Sequence, residues 1–77
     1  MFGIILLEVV IMVDHVLKSS LQDHRIVTIM YQRGKEITKR NIRIMKLMDD
    51  DVEAYCYLRR QIRHFKKENI LAAMYTN

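Results

Sequence analysis

The residues best equipped for chemistry in this sequence lie between Ala54 and Leu71, in the stretch AYCYLRRQIRHFKKENIL. Arg59, Arg60, Arg63, Lys66 and Lys67 stand within it, and no acid interrupts them between Ala54 and Lys67. A guanidinium is planar, always charged, and offers a bidentate fork that matches phosphate oxygens. Tyr55 and Phe65 interleave with these cations, and an aromatic face beside an arginine can stack a nucleobase. That combination suits capture of a nucleotide or a single-stranded nucleic acid. The competing reading makes Tyr55 and Phe65 core residues and the arginines a solvated face.

Other chemistries find little support. His15, His24 and His64 fall on different segments, with no CxxC or HxxxH spacing that would hold zinc. Cys56 lies on the apolar side of an alternating run, so a buried, inert thiol is expected rather than a nucleophile. Asp49, Asp50 and Asp51 lack the ligand rhythm and glycine of a calcium loop. There is no glycine-rich phosphate loop and no G-x-S-x-G. We therefore expect no catalysis, no cofactor and no metal.

The elements that must position the basic patch come from a chain of 77 residues, enough for one small core. Hydrophobic residues make up 51%, which excludes a chain disordered by composition, and with no proline and two glycines nothing reads as a linker. The net charge of +4 admits a polyanionic partner. A single cysteine rules out a disulfide within the chain and suits a reducing, cytoplasmic setting.

Residues 1–13, MFGIILLEVVIMV, form an apolar segment that is too short to span a bilayer and has no basic region of a signal peptide ahead of it. Packing on the core or on a partner is expected, with Met12 an alternative start. The domain proper is expected over residues 14–77. Asp14 reads as a helix N-cap, and Val13, Val16, Leu17, Ser20 and Leu21 fall on one helical stripe. RIVTIMYQ alternates with both faces apolar, as in a strand flanked on both sides, and Gly34 supplies the following turn. Between Glu36 and Met48 the apolar set changes parity, from Ile42 and Ile44 to Met45 and Leu47, which requires a bulge or bend. In the next strand Val52, Ala54, Cys56 and Leu58 are expected to face inward. Arg59 and Arg63 are then expected on opposite arms of a hairpin, on the face that carries Tyr55 and Phe65. ILAAMY closes the order as a fifth strand. A helix followed by five short antiparallel strands, mainly β in a small α+β arrangement, predicts an SH3-like or Sm-like barrel.

The same residues resemble the signature of the WYL domain, a bacterial regulatory module with an Sm-like barrel. Ala54, Tyr55 and Cys56 stand where that family has its eponymous triplet, Leu58 and Arg59 match its L-R, and Arg63 with Phe65 matches its R-x-F. Upstream, VLKSSLQDHRIVTIMYQRG is similar to the family's short helix, strand and glycine turn, with Tyr31 on the usual tyrosine. TKRNI, containing Arg40, resembles the arginine that opens its second strand. The tryptophan is replaced by Ala54, the usual proline by Ile44, and an arginine near the end by Asn69. Family members commonly carry a helix-turn-helix domain ahead of this module, and none fits here, so a stand-alone module is expected. The resemblance implies ligand sensing on a concave basic face, with Arg59 and Arg63 holding the anion and Tyr55, Phe65, Arg40 and Tyr31 assisting. The expected function is thus non-catalytic binding of a nucleotide or single-stranded nucleic acid. The rival is an interaction or oligomerisation subunit with no ligand. A homo-oligomer or a partner protein is expected in either case, and no membrane.

Overall fold

The computed structural model describes the backbone of residues 2–76 and the side chains of residues 12–76. It opens with helix α1, Phe2–Asp23. Asp14 is not its N-cap: it lies in mid-helix, where its carboxylate pairs with Lys18 Nζ one turn on, at 3.2 Å. A capping residue starts a helix only where the chain before it resists helix. The residues ahead of Asp14 contain no proline and several good helix formers, among them Leu6, Leu7, Glu8 and Met12. The helix ends at Asp23, followed by His24 at φ +54°, the left-handed conformation common just past a helix C-terminus. The expected stripe is the packed one. Val16, Leu17 and Ser20 are buried, with Val13 and Leu21 packed beside them.

Five strands follow: β1 (Val27–Arg33), β2 (Glu36–Leu47), β3 (Asp51–Cys56), β4 (Gln61–Lys66) and β5 (Ile70–Tyr75). A single 3-10 turn, Lys67–Asn69, joins β4 to β5. All pairings are antiparallel and the order is β4-β3-β2-β1-β5, so β1 is flanked on both sides as its two apolar faces require. Gly34, at φ +62°, turns β1 into β2. The change of parity in β2 is a register shift between Ile44 and Lys46, which bends the strand. The sheet curls until Phe65 from β4 and Ile70 and Ala73 from β5 belong to one buried cluster with Val27, Ile29, Ile42 and Val52. Among the described residues β4 and β5 form no ladder with each other, so a seam separates these two edges.

One hydroxyl locks α1 onto the sheet. Continuing the Val27–Ile42 register by two residues would set Arg25 opposite Ile44. The strands have separated there, and Ser20 fills the gap: its Oγ accepts from the Ile44 N–H at 3.0 Å and donates to the Arg25 carbonyl at 2.6 Å. Ser20 therefore sits on the apolar stripe, fully buried, without an unmet polar atom.

Two expectations about β3 and β4 need correction. Val52, Ala54 and Cys56 are buried as expected, but Leu58 is 64% exposed. The strand ends at Cys56, and Tyr57–Arg60 is a turn in which Arg60 takes φ +54°, so alternation does not reach Leu58. The turn also sets the register Ala54–Arg63 and Val52–Phe65. Directly opposed residues share a face, so Arg63 and Phe65 join the inner side of the sheet while Tyr55, opposite Ile62, points outward.

Candidate functional site

The inner face becomes polar where the end of β1 meets the end of β4 across the seam. A groove of about 390 Å³ opens there, lined by Tyr31, Phe65 and Asn69, by the cations Arg33, Arg40, Arg63 and Lys66, and by His64 and one acid, Asp51. Strand period two delivers the cations: Arg40 follows Thr38 and precedes Ile42 on the inward side of β2, and Arg33 follows Tyr31 on β1. Phe65 is buried, and its ring meets that of Tyr31 edge-to-face with centroids 5.0 Å apart. The Tyr31 hydroxyl accepts from the Lys66 backbone N–H at 3.1 Å, which ties β1 to β4 where no ladder does.

Arg40 dominates the electrostatics. It is only 8% exposed, yet no acidic group pairs with it among the described residues. Its Nε donates to Thr38 Oγ1 at 3.1 Å, and Nη1 lies 3.8 Å from the Cys56 sulfur. Burial pushes the Cys56 thiol up, but hydrogen bonds from the Arg59 backbone N–H, the Arg40 side chain and the Leu58 backbone N–H outweigh it. Together with the Arg40 charge they hold the thiol below its ordinary value. His64 stands between two carboxylates, Nδ1 3.9 Å from Asp51 and Nε2 3.5 Å from Glu53.

Four of the six candidate residues, Tyr31, Arg40, Arg63 and Phe65, thus line one groove. Arg59 does not: its side chain leaves the β3–β4 turn and is exposed. Tyr55 is on the outer face, stacked edge-to-face on Tyr57 at 4.9 Å. Sequence reasoning did not single out Arg33 and Asn69 as lining residues. Arg33 had a signal, two residues beyond Tyr31 and so on the same face, whereas Asn69 reaches the groove only through the turn between β4 and β5. Among the described residues no group of histidine, cysteine and carboxylate side chains is arranged to hold a metal ion. No described helix is long and apolar enough to cross a membrane.

No known family profile matches this chain, and no curated protein is similar to it. Among solved structures it is similar to the proteasome accessory factor B/C (PafBC) of Arthrobacter aurescens, with a TM-score of 0.77 at 17% identity. The likeness covers 83% of this chain but 11% of that one. At such identity it shows the fold alone, a fold consistent with the WYL-like one that the sequence resemblance implies.

Proposed function

We propose that this chain is a non-catalytic regulatory module that binds an anionic ligand, a nucleotide or a single-stranded nucleic acid, in the groove at the β4–β5 seam. The observation that carries the reading is Arg40, a nearly buried guanidinium with no carboxylate partner among the described residues. Burying a charge costs several kcal/mol unless an opposite charge compensates it. A phosphate entering from the groove supplies that compensation, with Arg63 beside it and Arg33 and Lys66 at the mouth. The volume lies within the ~300–1,000 Å³ of small-ligand sites. Tyr31 is the aromatic surface available to a base, since Phe65 is taken up by the core. The fold shared with part of an accessory factor also supports regulation over catalysis.

Fluorescence anisotropy with a labelled short oligonucleotide tests this. A single strand is expected to bind more tightly than a duplex of equal charge, with a salt slope near 0.7 per phosphate neutralised. Arg40→Met and Arg63→Ala are expected to weaken binding and flatten the slope. Tyr31→Ala is expected to cost ~1–3 kcal/mol, and Tyr55→Ala nothing. Equal binding of both forms, indifferent to Arg40, would leave only a nonspecific basic surface. No binding of oligonucleotide or mononucleotide at low salt would favour an interaction subunit instead.

A further inference from the structure

The sole cysteine of the chain sits behind the groove, and its sulfur is surrounded by donors. Cys56 is fully buried, 3.8 Å from Arg40 Nη1, with the backbone N–H groups of Leu58 and Arg59 also directed at it. Its own strand places it among apolar residues, where a thiol needs no donors. The β3–β4 turn nevertheless folds two amides back onto the sulfur. Facing it from the packed elements are Arg40 on β2, Arg63 two pairs along on β4 and the uncharged Gln61 directly opposite. No acid is among these neighbours. Arg40 is therefore shared: its guanidinium reaches the Cys56 sulfur and the same residue lines the groove.

We propose that the Cys56 thiolate and the ligand anion compete for Arg40, so that ionisation of this thiol controls anion binding in the groove. The inference rests on the binding reading above. When the thiol loses its proton, the thiolate becomes the counter-ion of Arg40 and the groove is less attractive to a second anion. When an anion binds first, Arg40 is neutralised and the thiol holds its proton to higher pH. The two effects are reciprocal, since each is the same coupling free energy seen from one side. An opposite charge within ~4–6 Å moves a titration midpoint by about one to three pH units, and each unit corresponds to tenfold in affinity.

Absorbance at 240 nm follows thiolate formation, and subtracting the titration of Cys56→Ala, which keeps the four tyrosines that also absorb there on ionisation, isolates the single cysteine. Inorganic pyrophosphate, transparent at that wavelength, serves as the anion, and calorimetry reports its binding separately. In the free protein the midpoint is expected below that of an ordinary thiol, raised by about one unit in Arg40→Met and kept low in Arg40→Lys. Saturating pyrophosphate is expected to raise the midpoint of the native protein by about one unit and to leave that of Arg40→Met in place. Pyrophosphate affinity is expected to fall about tenfold as pH rises through the thiol titration, and to lose that step in Cys56→Ala. A midpoint unmoved in both Arg40 variants would overturn the proposal, and so would pyrophosphate that binds without moving it. Absence of any calorimetric binding would overturn the binding reading as well, and the two failures are distinguishable.

Discussion

Arg40 separates the demands of binding from those of folding. Below the thiol titration its partners among the described residues are neutral, Thr38 and Cys56, so it contributes a desolvated charge that no described acid offsets. Replacing a buried, uncompensated charge by an apolar side chain of similar length is neutral or stabilising in well-packed sites. Arg40→Met at pH 6 is therefore expected to melt at the native temperature or a few degrees above it while losing affinity for anions. A residue kept for function at the expense of stability has that signature. In a domain this small, a fall of ~4–8 °C would mean that about 1 kcal/mol of fold stability rests on the guanidinium. Arg40 would then be structural, and the case for an anion site would lose its strongest support.

At the scale of elements, the bend in β2 and the stripe of α1 were both legible, because each follows from a period that burial enforces. Ile42 and Ile44 are buried and Leu47, of the other parity, packs beside them, which needs a bulge between; the register shift falls there, and Met45, at the shift, is exposed. The faces of β4 were not legible, because they depend on the length of one turn. Tyr57–Arg60 contains no glycine, proline, asparagine or aspartate to announce it, and Arg60 takes the left-handed position without a sequence signal. A one-residue difference there exchanges every side chain of β4 between faces. For that reason Arg63 and Phe65 share the groove with Arg40, while Tyr55 does not. Ser20 was legible as a packed position but not as a bond between elements. Ser20→Ala would leave the buried Ile44 N–H without a partner, at ~1–3 kcal/mol, while the part-buried Arg25 carbonyl can turn to water. Denaturant unfolding is expected to lose at least the lower of these values, together with hydrogen-exchange protection at Ile44. Unchanged stability would mean that the strands close over the gap unaided.

At the scale of the whole molecule, the proportions of helix and sheet set the last expectation. A helix of 22 residues is ~33 Å long, and the molecule measures 39 × 30 × 26 Å. The described core contacts of α1 come from Val13, Val16, Leu17, Ser20 and Leu21, all in its second half. The first half, FGIILLEVVIM, is nearly all apolar in sequence; Met12 is exposed and the side chains before it lie outside the described residues, so the expected role of residues 1–13 in packing rests on composition and on the continuous helix. Apolar surface of that extent seldom stays in water, and an antiparallel pair of such helices from two copies would cover it. Sedimentation of the full chain is expected to give a mass that rises with concentration to at least a dimer, whereas a chain beginning at Met12 is expected to stay monomeric and folded. Because the groove lies at the seam between β4 and β5, it should bind the same anion with the same affinity in both forms. Equal monomeric masses would show that the helix covers its own apolar half, and a truncated chain that fails to fold would assign residues 1–11 to the core itself.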